Sequence, residues 1–335
     1  MDGKPLMRAA VLEEFGAPLR VMDLDTPVAG PGQVLVRIQA SGVNPLDLKI
    51  RAGQAGHART VLPAVLGLDL AGQVEAVGPE VTAFRRGDQV YGLTGGVGAL
   101  QGSLAEYAAV DSRLLAHSPA ALDQREAAAL PLALITAWEG LVDRAGVHKG
   151  QRVLIHGGAG SVGSAAVQLA LARGAEVFAT GSAHSRPTIE SLGATAIDYT
   201  REAVADYLAE HTGGEGFDIV FDTVGGATLD ASFVAVREYT GRVVSALGWG
   251  THSLAPLSFR GATYSGVFTL LPLLTGRARE HHGRILTEAA ALIDAGSLRP
   301  LLDPRHFSLA DVNEAHTAAE SGTARGKIVV DVSPH

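Results

Sequence analysis

Closely spaced glycines in one stretch carry the most specific chemistry in this chain. Arg152–Gly163 reads RVLIHGGAGSVG, in which Gly158, Gly160 and Gly163 have the spacing of a dinucleotide fingerprint. Positions without side chains permit a tight turn, a close approach of backbone to a pyrophosphate, and close packing of a helix on a strand. The apolar run Val153–His156 before the glycines suits a buried strand, and Val162, Ala165, Ala166, Leu169 and Ala170 after them keep a helical period. The first N–H groups of that helix, from Ser161, Val162 and Gly163, have no partner within it and would face the phosphates.

The next strand, over Glu176–Thr180, tests which nucleotide is held. An acid at its end would bind a free ribose 2′-hydroxyl; the chain instead reads Thr180-Gly181-Ser182-Ala183-His184-Ser185-Arg186. A small Ser182 and a permanently charged Arg186 suit a 2′-phosphate, so the expected cofactor is NADPH.

Composition bounds the remaining possibilities. The chain has 335 residues, 47% of them hydrophobic and 19% charged, enough for about two domains. A formal net charge of −8 offers no general attraction to nucleic acid or to an anionic membrane. There are no cysteines, which removes disulfides, thiolate metal sites and a cysteine nucleophile together. The longest apolar run, Ala127–Ala137, is too short to span a bilayer and contains Pro131, so a cytoplasmic protein with a small-molecule substrate is expected. Neither a Gly-x-Ser-x-Gly elbow nor a Walker loop occurs.

Two kinds of patterning position these residues. Up to about residue 120, short apolar runs broken by Gly30-Pro31-Gly32, Gly78-Pro79, Gly87-Asp88 and Gly95-Gly96 predict an irregular β-rich domain. From Asp123 the pattern predicts a helix over Gln124–Ala145 and then alternating strands and helices, with strands at Val153–His156, Glu176–Thr180, Ala196–Asp198, Phe217–Asp222 and Arg242–Leu247. That alternation implies a doubly wound parallel sheet. A helix over Arg279–Ala295 and a closing strand over Lys327–Val332 end the chain.

Motifs along nearly the whole length then carry a resemblance. Ser41-Gly42-Val43-Asn44-Pro45-Leu46-Asp47, Gly67-Leu68-Asp69-Leu70-Ala71-Gly72, Val77-Gly78, Phe84-x-x-Gly87-Asp88-x-Val90, Gly102-Ser103-x-Ala105-Glu106-Tyr107, Ala128-Ala129-Leu130-Pro131, Thr136-Ala137 and the glycine loop together resemble the medium-chain dehydrogenase/reductase superfamily, in its zinc-independent quinone oxidoreductase branch. The resemblance implies an α/β fold: a GroES-like β-rich catalytic domain from residues 1–122 and 272–335, with a Rossmann domain over 123–271 inserted in it. In the zinc branch the position of Asn44 is a cysteine ligand and that of Leu68 a histidine. The third ligand position, near Leu132, also lacks a donor here, so no metal is expected.

The resemblance also distributes roles. Asn44 would lie beside the nicotinamide ribose and the substrate oxygen, and Thr136 would hydrogen-bond the carboxamide. Tyr199 would lie near the 2′-phosphate, and Leu247 would contact the cofactor. The acceptor would meet Leu93, Trp249, Phe268 and Leu270. Asp47 and Asp69 are expected to be structural, paired with Lys49, Arg51 or backbone N–H groups. The pairs His281-His282 and Asp303/His306 lack metal-ligand spacing. The expected activity is hydride transfer from NADPH to a quinone or an α,β-unsaturated carbonyl. The alternatives are an enoyl or alkenal double-bond reductase, or a crystallin-like NADPH-binding protein with little turnover. Homodimers joined at an edge strand, over Ala262–Leu270, are expected from the family.

Overall fold

The structure is a computed structural model that describes residues 5–333. It divides into two compact units: one from the residues up to Leu132, Leu270–Ala295 and the chain from Pro300, the other from Ala133–Thr269 with Gly296–Arg299.

The second unit is built on a six-stranded parallel sheet. Its strands are Arg152–His156, Glu176–Gly181, Thr195–Asp198, Ile219–Asp222, Arg242–Ser245 and Thr263–Gly266, and in that sequence numbering they lie in the order 3-2-1-4-5-6. Every pair is parallel, as the strand–helix alternation predicts. The order reverses beside Arg152–His156, and a doubly wound sheet binds ligands at the carboxyl ends of its strands at such a point. Beneath the sheet, Leu154, Phe178, Phe217, Val220, Leu229 and Phe233 form one buried cluster. Burying side chains of this size gains roughly 1.5–3 kcal/mol each.

In the first unit, Gln33–Gly42 is the central strand. It pairs antiparallel with Asp69–Val77 on one side and with Val329–Asp331 on the other, and Tyr107–Asp111 joins it as well. The chain end therefore returns to the N-terminal strands. Its register sets Val329 opposite Gly42 and Val330 opposite Ser41, beside the turn that carries Asn44.

The predicted helix over Gln124–Ala145 is in fact broken. It forms as Gln124–Ala128, Pro131–Trp138 and a π-helical turn at Glu139–Arg144. Pro131 has no N–H to donate and drives the residue before it out of helical geometry, so it starts a new helix. In the widened last turn Gly140 lies against Phe221, where a Cβ would come within 2.9 Å of the ring.

Candidate active site

In the second unit, the glycine loop lines a cavity of about 810 Å³. His156, Gly157, Gly160, Thr223, Val224 and Ala227 line it, together with Ser182, Ser185, Tyr199 and Glu202. Each glycine has a separate task. Gly157 takes φ +76°, which an L side chain resists. A Cβ on Gly158 would stand 2.5 Å from the Ala179 Cβ, and one on Gly163 would stand 2.0 Å from the Gly157 carbonyl oxygen. Both therefore seat the helix over Ser161–Ala172 on the sheet. A Cβ on Gly160 would meet nothing nearer than 3.4 Å, so its bareness serves the open side of the loop, where a pyrophosphate would pass. Ser161 is exposed and Val162 half-buried at the helix start.

Strand ends hold this loop from beneath. Thr180 Oγ1 accepts the Gly157 N–H at 3.2 Å and lies 3.1 Å from His156 Nδ1. Burial pulls the His156 imidazole well below its ordinary pKa, against the opposing pull of Asp222, so the ring is neutral near pH 7. Asp222 accepts the Val224 and Gly225 N–H groups, and the Ser245 hydroxyl donates to it at 2.7 Å. Ser245 Oγ in turn accepts the Leu247 N–H at 3.0 Å, which sets Leu247 at the end of its strand.

Ser182 lies in the cavity wall with its hydroxyl 3.2 Å from that of Ser185, and Tyr199 in the same wall is 63% exposed. Arg186 is not among the lining residues. Its guanidinium lies 3.3 Å from Glu190 and 3.9 Å from Glu202. Thr136 is buried on the helix Pro131–Trp138. Trp249 and Phe268 meet edge to face with centroids 6.0 Å apart, and Trp249 is half exposed.

In the first unit, Asn44 lies in a buried cluster of polar side chains. Asp69 is its hub: one carboxylate oxygen accepts the Leu132 N–H at 2.8 Å, and the other accepts Asn44 Nδ2 at 2.9 Å and lies 3.4 Å from Lys327 Nζ. Lys327 Nζ also donates to Asn44 Oδ1. Asp47 accepts the Asn44 N–H at 2.8 Å through Oδ2, while its Oδ1 is buried with no hydrogen-bond partner. Burial pushes the Asp47 carboxyl up to about 7, with Asp69 adding to the rise and the Asn44 N–H and Lys327 opposing it. Burial likewise raises Asp69, against Lys327, Asn44 and the Leu132 N–H.

Of the expected partners of these two acids, the backbone N–H groups are present, from Asn44 to Asp47 and from Leu132 to Asp69, and only the cations need correcting. Neither is paired with Lys49 or Arg51; Arg51 bonds Glu320 instead. Their cation is Lys327, a residue that spacing did not single out because it is distant in the chain and reaches Asn44 only through strand pairing. Leu93 is fully buried and sits opposite Asp69 in the sheet, and Leu270 is buried at the start of the helix Leu271–Thr275.

Zinc does not fit this donor set. Asn44, Leu68 and Leu132 supply no thiolate or imidazole; of the two carboxylates beside them, Asp69 already faces an ammonium and Asp47 accepts the Asn44 N–H. A dinucleotide does fit the other unit, where the bare Gly160, the unpaired helix start and the cavity coincide at the sheet's switch point.

Residues 30–120 match the family described as alcohol dehydrogenase GroES-like domain, and residues 192–330 the one described as zinc-binding dehydrogenase. The chain is similar to 2-methylene-furan-3-one reductase of Solanum lycopersicum, at 36% identity over 98% of this chain and 80% of that one. It is also similar to quinone oxidoreductase of Homo sapiens, at 30% identity with 98% of each covered. Among solved structures, an alcohol dehydrogenase superfamily protein from Novosphingobium aromaticivorans has a TM-score of 0.95 at 59% identity, over 98% of this chain and 100% of that one.

Proposed function

Because the chain belongs to the medium-chain dehydrogenase/reductase superfamily, in its quinone oxidoreductase-like branch, we propose that it is a zinc-independent, NADPH-dependent reductase acting on quinones or α,β-unsaturated carbonyls. The observation that carries this reading is the Lys327 ammonium against Asp69, at the position where a zinc-dependent relative would gather its ligands. Without a Lewis acid, an unactivated alcohol is a poor substrate. An acceptor that spreads the arriving charge over a quinone or enone system is a good one.

The glycine loop and the first N–H groups of the helix Ser161–Ala172 would hold the pyrophosphate, with Ser182 and Tyr199 of the cavity wall near the 2′-phosphate; Arg186 would turn to that phosphate from its place against Glu190 and Glu202, and Leu247 would contact the nicotinamide end. Bound NADPH supplies a hydride to the acceptor, and a proton from solvent completes the hydroquinone or the saturated ketone. Thr136 would orient the carboxamide, and Asn44 would donate to the acceptor oxygen as charge builds there. Holding both reactants in near-attack geometry is the main source of rate, and hydrogen bonding to the developing oxyanion adds to it. The unpaired side of the edge strand Thr263–Gly266 supports self-association into a homodimer.

The test is the initial rate of NADPH oxidation by metal-stripped protein on a simple quinone and a simple enone, with NADH as the control nucleotide. Turnover on either acceptor supports the reading, and their ratio chooses the acceptor class. Tight NADPH binding with no turnover on any acceptor would replace it with a cofactor-binding role.

A further inference from the structure

An ammonium buried to 5% exposure needs an explanation, because removing a charge from water is costly unless its partners are complete and well placed. Lys327 Nζ has Asn44 Oδ1 and Asp69 Oδ2 as partners. Its methylene stem passes Gly42, where a Cβ would stand 3.2 Å from Lys327 Cε and 2.3 Å from the Ala128 carbonyl oxygen. The bare backbone at Gly42 thus leaves the lysine a channel to the amide.

The donor chemistry then fixes the amide. Ammonium can only donate and ionised carboxylate can only accept, so Asn44 must turn Oδ1 to Lys327 and Nδ2 to Asp69. One Nδ2 proton is spent on Asp69 at 2.9 Å. The other faces the Gly42 carbonyl oxygen at a long 3.4 Å and is the one weakly held.

We propose that Lys327 is a positioning residue for the reduction: its ammonium locks the Asn44 amide so that the weakly held Nδ2 proton is the one offered to the acceptor oxygen. This rests on the reading of Asn44 given above. Removing the ammonium leaves Asp69 buried without a counter-charge, and an Asp69 that takes up a proton both donates and accepts. The amide could then sit in either orientation.

The test uses Lys327→Met, Lys327→Arg and the double variant Lys327→Met with Asp69→Asn, which removes the ammonium and its counter-charge together and keeps a buried amide at position 69. The lock predicts that kcat with a quinone falls roughly 100–1,000-fold in Lys327→Met, the range for losing one oriented donor. The KM for NADPH should stay within about twofold, and Lys327→Arg should restore most of kcat. The double variant should remain as slow as the single one. Recovery of wild-type kcat in the double variant would overturn the proposal, since Lys327 would then merely neutralise Asp69.

A second readout needs no turnover. In cofactor-free protein the Asn44 side-chain amide, assigned by the signal lost in Asn44→Asp, should show one sharp pair of Nδ2 proton signals protected from solvent exchange, which Lys327→Met broadens or splits into two pairs as the amide takes both orientations. Unchanged amide signals in Lys327→Met would overturn the lock whatever the rates show. Should wild type reduce no acceptor, the reductase reading fails, and the amide signals alone decide whether Lys327 orients Asn44.

Discussion

Asp47 gives the molecule a pH signature, because burial raises its carboxyl against the opposing pull of the Asn44 and Gly67 backbone and of Lys327. Its pKa rises from 3.8 to about 7 on folding, so between those values the folded chain binds more protons than the unfolded one. Stability from this group is present at low pH and is lost as pH rises through about 7. Asp47→Asn mimics the protonated carboxyl and does not titrate. Urea midpoints at about pH 5 and about pH 8 should show wild type losing at least about 1 kcal/mol relative to the variant between the two. A constant difference would mean that Asp47 is ionised in the folded protein throughout. The cofactor preference is tested at Arg186. Arg186→Ala should weaken NADPH binding about tenfold, or about 1.4 kcal/mol, and leave NADH within about twofold in a fluorescence titration. Equal loss for both nucleotides would place the 2′-phosphate elsewhere. Asn44 was legible from its motif; its partners were not, because hydrogen bonds to Lys327 and Asp69 join segments far apart in the chain.

At the scale of elements, the strand–loop–helix of Arg152–Ala172 separates folding from binding by glycine position. Gly160→Ala meets only ordinary contact at 3.4 Å, so its Tm should stay within about 2 °C while nucleotide affinity falls. Gly163→Ala forces a Cβ to 2.0 Å from a backbone oxygen, which requires the helix to move off the strand. It should lose nucleotide binding and roughly 1–3 kcal/mol of stability, the usual cost of overpacking. Thermal melts and NADPH titrations of the two variants check both outcomes, and equal melting losses would contradict the division. The strands and helices around this loop were readable because apolar period and glycine placement are local. The break in Gln124–Ala145 was signalled by Pro131, but the π-helical turn after it follows from the packing of Gly140 on Phe221, which involves a distant strand.

For the whole molecule, Thr263–Gly266 is the outer strand of the six-stranded sheet. Tyr239 and Phe259 are 86% and 87% exposed, and the Tyr239 N–H donates to the Arg260 carbonyl oxygen at 2.8 Å, which joins the two segments. Exposed aromatic groups beside an unpaired strand edge suit association with a second copy. Light scattering should give the mass of a dimer for wild type, and Phe259→Glu should shift it toward a monomer at micromolar concentration. A wild-type monomer would exclude the edge as an interface. Among the described residues no helix is long and apolar enough to cross a membrane.

The sequence by itself determined the strand–glycine loop–helix and the doubly wound unit, because each depends on residue type at short spacing. Tertiary structure alone decided which side chains surround Asn44. Antiparallel pairing of Val329–Asp331 with Gln33–Gly42 carries Lys327 to Asn44, and sheet pairing sets Leu93 opposite Asp69. A buried ammonium and carboxylate become partners only when strand register removes both from water together, and no local pattern encodes that register.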